Sequence, residues 1–185
     1  MACVGKTYFH HRSLWRDLTL VSTDWGRGSA AVAAEKFVES ASSYFFTYGD
    51  ISRRQDVEKM FREAAGRFGP VDVLVNCAGV YPSAPVPEVT DEQWASVMGV
   101  NLYGTFVCSQ TAAAQMLPRG RGWIVNIASV DGEAPGPNNC VYSASKAGVI
   151  SLTRSFAAEF TAAGISVNAV APGWVGTQKI YANDR

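Results

Sequence analysis

Tyr142 and Lys146 stand four residues apart in the segment Tyr142-Ser143-Ala144-Ser145-Lys146. On a helix that spacing sets a phenol and an ammonium one turn apart on a single face. A fixed positive charge beside a phenol favours its anion, so a tyrosine that normally titrates near ~10 could exchange protons closer to neutral pH. An ordinary solvated helix face carries the same pair. Ser129 adds weight to the chemical reading. It follows the apolar run Trp123-Ile124-Val125-Asn126-Ile127 and so falls where a buried strand would end, the place where α/β proteins keep their chemistry. From there its hydroxyl could hydrogen-bond a substrate carbonyl or hydroxyl while Tyr142 transfers the proton; a serine at such a point also serves as a turn residue.

Strand and helix patterns alternate around these residues. Leu18 to Thr23 and Tyr44 to Tyr48 have strand character, with a helical stretch from Ala30 to about Ser40 between them. Ser52 with Gln55 offers a capping box for a helix whose apolar face is Val57, Met60, Phe61, Ala64 and Phe68, and Gly69-Pro70 ends it. A buried strand over Val71 to Val75 follows. Thr90 with Gln93 offers a second capping box, opening a long helix that runs to about Leu117 before Pro118 and Gly120 break it. Trp123 to Ile127 is the next strand. The helix holding Tyr142 and Lys146 reaches about Ala163, Gly164 stops it, and Ile165 to Val170 makes a last strand. Such alternation predicts a parallel sheet with right-handed crossovers and helices on both faces. The Pro-rich stretch from Tyr81 to Pro87 is expected to form a semi-rigid loop at the active-site edge.

Ile124-Val125-Asn126-Ile127-Ala128-Ser129, then Tyr142-Ser143-Ala144-Ser145-Lys146, then Asn168-Ala169-Val170-Ala171-Pro172-Gly173 resemble three consecutive blocks of the short-chain dehydrogenase/reductases. Upstream, Asn76-Cys77-Ala78-Gly79 resembles that family's Asn-Asn-Ala-Gly block. The segment from Trp94 to Phe106, with Val100-Asn101-Leu102-Tyr103-Gly104, resembles the one bearing its catalytic Asn. The resemblance covers roughly Asp50 to Thr177. It implies an α/β fold, a Rossmann-like doubly wound parallel sheet, and an NAD(P)-dependent oxidoreductase interconverting a carbonyl and a secondary alcohol. In that scheme Tyr142 is the general acid/base and Lys146 lowers its pKa and bonds the nicotinamide ribose. Ser129 orients the substrate oxygen, and Asn101 holds a water in the proton relay. Asp50 is implied to contact the adenine, and Asn76, Ala78 and Gly79 to flank the adenosine. Pro172, Gly173 and Thr177 are implied to line the nicotinamide. Asn76 could instead only tie strands together, Asn101 only satisfy backbone, and Gly79 only serve a turn.

The departures from the family pattern bear on competence. Dinucleotide folds begin with a strand and a Gly-rich turn that receives the pyrophosphate. Nothing in the first 49 residues reproduces the family's Thr-Gly, three residues, Gly-x-Gly. Thr23-Asp24-Trp25-Gly26-Arg27-Gly28 is two residues too short, and Leu18 to Asp24 aligns better with the family's second strand. The expected sheet therefore lacks the first strand and Gly-rich turn, and residues 1–17 form an atypical N-terminal segment of a single partial domain spanning residues 1–185. On this alignment Asp24 would bind the adenosine ribose hydroxyls and weakly favour NAD over NADP, with Arg27 weakening the preference. Only twelve residues follow Gly173, so the chain is expected to be short at both ends relative to the family. An uncovered last strand invites association. Beside the enzyme stands a second reading, a catalytically inactive remnant acting only through oligomer contacts of the helices from Thr90 and Val141. The family's extended sugar-nucleotide epimerase branch is a weaker third, opposed by the Asn76 and Asn168 blocks.

Composition suits a single globular domain, with 48% apolar and 17% charged residues among 185. Sixteen basic residues balance sixteen acidic ones, giving no field that would recruit nucleic acid or an anionic membrane. Cys3, Cys77, Cys108 and Cys140 form no C-x-x-C pair, which disfavours a metal site and suits reduced thiols; Cys140 is expected to be a small semi-buried residue. No apolar run approaches the ~20 residues of a membrane span, and the start lacks a secretory core. A cytoplasmic homo-oligomer acting on a small-molecule alcohol or carbonyl is the expectation. Lys6, Arg12 and Arg16, without an acid among the first sixteen residues, leave an organelle-targeting reading open.

Overall fold

The computed structural model describes residues 7–10, 19–24 and 43–173, with side chains described at Thr47 and from Gly49 onward. Three parallel strands form its centre: β4 (Val73–Asn76), β5 (Gly122–Ile127) and β6 (Ile165–Val170). Leu74, Ile124 and Val167 lie side by side across them. A separate parallel pair is formed by β2 (Thr19–Asp24) and β3 (Ser43–Tyr48). The helical stretch expected over Ala30 to Ser40 lies outside the described residues.

One strand is additional. β1 (Thr7–His10) pairs antiparallel with the outer edge of β4, Thr7 opposite Asn76 and His10 opposite Val73. The segment expected to be merely atypical thus adds a strand beside β4, in the opposite direction to β4, β5 and β6. An open edge presents unpaired N–H and C=O groups to any extended segment, and the alternation of strands and helices carries no signal for that pairing.

The helices are α1 (Arg54–Phe68), α2 (Asp91–Val97), α3 (Thr105–Met116) and α4 (Cys140–Phe160). The i, i+3, i+4 pattern of α1 buries Val57, Met60, Phe61 and Ala64 against Leu74, Ile124, Val107, Ala112 and Met116 in one core. Each large side chain contributes ~1.5–3 kcal/mol there. Phe106, Phe156 and Phe160 extend the core as a stack, with ring centroids 6.0 and 5.4 Å apart. Gly120 (φ +61°) and Gly164 (φ +78°) follow the last turns after α3 and α4, and each takes the left-handed conformation that lets the chain turn into a strand.

Two local expectations about helix starts divide. Thr90 and Gln93 form the reciprocal capping box, each backbone N–H reaching the other side chain at 3.2 Å. Ser52 caps nothing: α1 begins one residue later than that box requires. The Ser52 hydroxyl and N–H instead donate to the Asp50 carboxylate at 2.6 and 2.9 Å. Bonded twice to Asp50, Ser52 is held in the turn before the helix, where its oxygen receives none of the helix's free N–H groups.

The long helix from Thr90 is also not uniform. Between α2 and α3 the turns over Met98–Gly104 widen into a π-helical segment, and Asn101 sits at its centre. Gly104 closes it because a Cβ there would lie 2.7 Å from the Ile51 side chain.

Candidate active site

The carboxyl ends of β4, β5 and β6 lie together, so the loops Cys77–Val80, Ala128–Ser129 and Ala171–Gly173 meet on one edge of the sheet. Tyr142 enters that edge from the first turn of α4 and Lys146 from the second. The Lys146 Nζ donates to the carbonyl of Ile127, the last residue of β5, at 2.7 Å, and the side chain is buried. Ser129 is fixed by the short turn that follows it, its Oγ accepting from the Asp131 N–H at 3.2 Å. That turn rests directly on α4, for a Cβ on Gly132 would come within 2.8 Å of the Lys146 backbone. Ser129, Tyr142 and Lys146 are therefore brought together on rigid elements.

Asn101 has no solvent exposure, and its amide is engaged at both ends. Its Oδ1 accepts from the Val80 N–H at 2.8 Å, while Nδ2 donates to the Val80 carbonyl and to Ser145 Oγ, both at 3.0 Å. Ser145 Oγ in turn donates to the Tyr142 carbonyl at 2.6 Å. The amide thus clamps the loop after β4 to the helix bearing Tyr142. Gly79 lies inside the clamp: a Cβ on it would sit 3.4 Å from Asn101 Oδ1 and 3.7 Å from Lys146 Nζ. Glycine keeps the approach to the ammonium open.

Electrostatics at the pair differ from the expectation. Burial raises the Tyr142 pKa above its ordinary value; the Ser129 hydroxyl opposes that rise, and Asp131 and Tyr81 add to it. Burial likewise lowers Lys146, to about 8, with Cys77 opposing. The lysine lies 5.7 Å from the Tyr142 ring centroid and spends a donor on Ile127. Desolvation therefore sets the direction of both shifts, and the expected depression of the phenol by the ammonium does not appear among the causes.

The other anticipated residues divide by location. Pro172 is at the site, its carbonyl accepting from the Val130 N–H at 3.1 Å, and Gly173 follows it in open space. Ala78 lies half-buried in the loop after β4. Asn76 faces the core, donating to Ser109 Oγ at 2.9 Å and Asn126 Oδ1 at 2.8 Å. Asn126 continues to Thr153 at 2.9 Å, so this polar ladder ties β4, β5, α3 and α4 together. Asn76 thus ties the strands together. Asp50 engages Ser52, at the turn before α1. Asp24 ends β2, its side chain undescribed, and Thr177 lies outside the described residues.

Sequence reasoning did not single out Tyr81, Asp131 or Ser145. Tyr81 packs edge-on against Tyr142, with centroids 4.6 Å apart and planes at 86°. Its loop is tied by the Ala84 N–H to the Asn138 carbonyl at 2.9 Å, in keeping with the semi-rigid edge expected of the Pro-rich stretch. The i, i+3 spacing of Tyr142 and Ser145 was the available signal for the latter. Cys140 is exposed rather than semi-buried.

A short chain dehydrogenase family model matches residues 11–183. The chain belongs to the short chain dehydrogenase family. An uncharacterized oxidoreductase of Thermotoga maritima is 39% identical over 137 residues, covering 74% of this chain and 54% of its relative. The 3-oxoacyl-(acyl-carrier-protein) reductase FabG of Staphylococcus aureus is 38% identical over 146 residues, covering 79% of this chain and 59% of the reductase. A gluconate 5-dehydrogenase from Burkholderia cenocepacia, solved in complex with NADP and tartrate, superposes with a TM-score of 0.79 at 34% identity. That match covers 88% of this chain and 64% of the dehydrogenase. The chain thus spans little more than half the length of the curated relatives it matches. Among the described residues no helix is long and apolar enough to cross a membrane.

Lys146, Gly79 and Pro172 fit the nicotinamide end of a dinucleotide: Lys146 offers N–H donors and Gly79 leaves the approach open. The pyrophosphate end fits less well. β1 runs opposite to β4, so its carboxyl end lies beside Val73, away from the site.

Proposed function

We propose that this short chain dehydrogenase is an NAD(P)-dependent oxidoreductase that interconverts a carbonyl and a secondary alcohol, with Tyr142 as general acid/base. The observation that carries this reading is the convergence of Ser129, Tyr142 and Lys146 at the carboxyl ends of the parallel strands, with Asn101 clamping the loop at Val80 to the helix that bears Tyr142. A bound nicotinamide would supply or accept the hydride at the substrate carbon. Ser129 and Tyr142 would hydrogen-bond the substrate oxygen, and Tyr142 would donate the proton as that oxygen gains charge. Burial raises the Tyr142 pKa and so favours the protonated phenol, the form that donates in carbonyl reduction. Lys146 and Gly79 would hold the nicotinamide ribose, and Pro172 and Gly173 would line the ring.

Asn101 acts in this scheme as a positioning residue. Its amide is engaged, so a relay water would be held through its carbonyl, which already accepts from Thr105 Oγ1 at 2.8 Å and has a second lone pair. Asp24 at the end of β2 supports NAD over NADP, whereas Arg27 counts the other way. Exposed Trp94 and Tyr103, on α2 and the π-helical segment, support a homo-oligomer.

The direction of β1 favours a second reading, a non-catalytic protein that associates through its helices. Titration with NADH and NADPH, followed by nicotinamide fluorescence, separates the two. Saturable binding of one nucleotide, with turnover abolished in Tyr142→Phe, is expected; no saturable binding of either would overturn the enzyme reading for this chain.

A further inference from the structure

Tyr81 stands one residue beyond a clamped position. The Val80 N–H and carbonyl are held by the Asn101 amide, and the Val80 side chain packs with Val141 in a buried apolar cluster. The next residue along each segment repeats the meeting: the Tyr81 ring lies edge-on to the Tyr142 ring, with centroids 4.6 Å apart and planes at 86°. Three residues further on the loop is tied down again, the Ala84 N–H donating to the Asn138 carbonyl at 2.9 Å, just before α4. The loop bearing Tyr81 is thus fixed on both sides, yet 42% of the residue stays open to solvent. An aromatic surface is held in place, partly uncovered, directly beside the acid/base phenol.

We infer that Tyr81 is a specificity-determining residue: its ring walls the substrate site and favours ketones that carry an aryl group on the reacting carbon. The inference deepens the oxidoreductase reading and rests on it for the position of the substrate oxygen at the Tyr142 hydroxyl. A carbonyl held at that hydroxyl brings a substituent of the reacting carbon within reach of a ring packed directly on Tyr142. Aromatic rings attract one another in edge-to-face and offset geometry beyond the area they bury, whereas a saturated group of the same size gains burial alone. A wall whose loop is already fixed loses little conformational freedom when the substrate arrives, so little of that attraction is offset by ordering.

A matched pair of ketones tests this. Acetophenone and cyclohexyl methyl ketone share the methyl ketone and nearly the same bulk, and differ in whether the ring is aromatic. Their affinities for the full chain are measured by ligand-observed NMR with excess NAD+ or NADP+, the oxidised nucleotide that gives a ketone no hydride. The wild type and Tyr81→Phe should bind acetophenone more tightly than its saturated counterpart. In Tyr81→Leu, which keeps an apolar wall without a ring, that ratio should fall by roughly fivefold; Tyr81→Ala is a second ringless variant with the same expectation. An unchanged ratio in the ringless variants, a ratio lost equally in Tyr81→Phe, or binding of neither ketone to the wild type would overturn the assignment. Turnover of acetophenone with NADH or NADPH is followed separately: a ratio that falls in the ringless variants without turnover sinks the oxidoreductase reading alone, and turnover with an unchanged ratio sinks the Tyr81 assignment alone.

Discussion

Replacing Asn101 with alanine removes the only described partners of two buried backbone groups. The Val80 N–H and C=O, both in a residue 4% exposed, are held by the Asn101 amide at 2.8 and 3.0 Å. Each unsatisfied buried group costs ~1–3 kcal/mol, so the pair amounts to about 4 kcal/mol before relaxation. For a domain of this size ~1 kcal/mol moves Tm by ~2–4 °C, giving an expected drop of about 12 °C. Urea and thermal unfolding followed by tryptophan fluorescence measure it. Asn101→Asp discriminates between a lost clamp and a simple cavity. It keeps an acceptor for the Val80 N–H but turns a second oxygen toward the Val80 carbonyl. It should be as unstable as Asn101→Ala at pH 7. It should recover as pH falls, because protonation of a carboxyl whose folded pKa is raised restores the donor. A loss below ~1 kcal/mol in Asn101→Ala, or an Asn101→Asp as stable as wild type at pH 7, would refute the clamp.

Lys146 predicts a pH dependence of the opposite sign. Its folded pKa of about 8 lies below its ordinary 10.5, so the unfolded chain binds the proton more tightly. The penalty is full below pH 8 and is relieved as pH rises toward 10.5. Lys146→Met should thus be more stable than wild type at pH 7, by on the order of 3 kcal/mol less the ~1–3 kcal/mol cost of leaving the Ile127 carbonyl without that donor, and should lack the rise in stability between about pH 8 and 10.5 that urea titrations are expected to find in the wild type. Gly132→Ala should push the Ser129–Asp131 turn off α4, since its Cβ would meet backbone at 2.8 and 2.9 Å. Turnover should fall at least about tenfold, as expected when a reacting group is displaced by ~1 Å, while circular dichroism retains the helices.

Periodicity and capping chemistry located β5, β6, the start of α2 and the end of α4 closely, because their signals are local. The apolar run to Ile127, the capping pair Thr90 and Gln93, and Gly164 after the last helix each act within a few residues of where they stand. The same locality explains the failures. Ser52 matched a capping pattern but met Asp50, and the helix from Thr90 matched one period but widened where Asn101 had to reach Val80.

By itself, the sequence determined which residue types could do chemistry and their order: Asn101, Ser129, Tyr142 and Lys146, embedded in blocks that resemble a known family. Tertiary structure decided what surrounds them. It showed that the Asn101 amide is occupied as a clamp, that Asn76 ties strands together, and that Tyr81 packs edge-on against the Tyr142 ring. It also balanced burial against charge so that the Tyr142 pKa rises and that of Lys146 falls. The direction of β1 belongs to the same class. Pairing partners, desolvation and long-range hydrogen bonds depend on which segments meet in space, and linear spacing carries that information only where the meeting is within one turn of a helix.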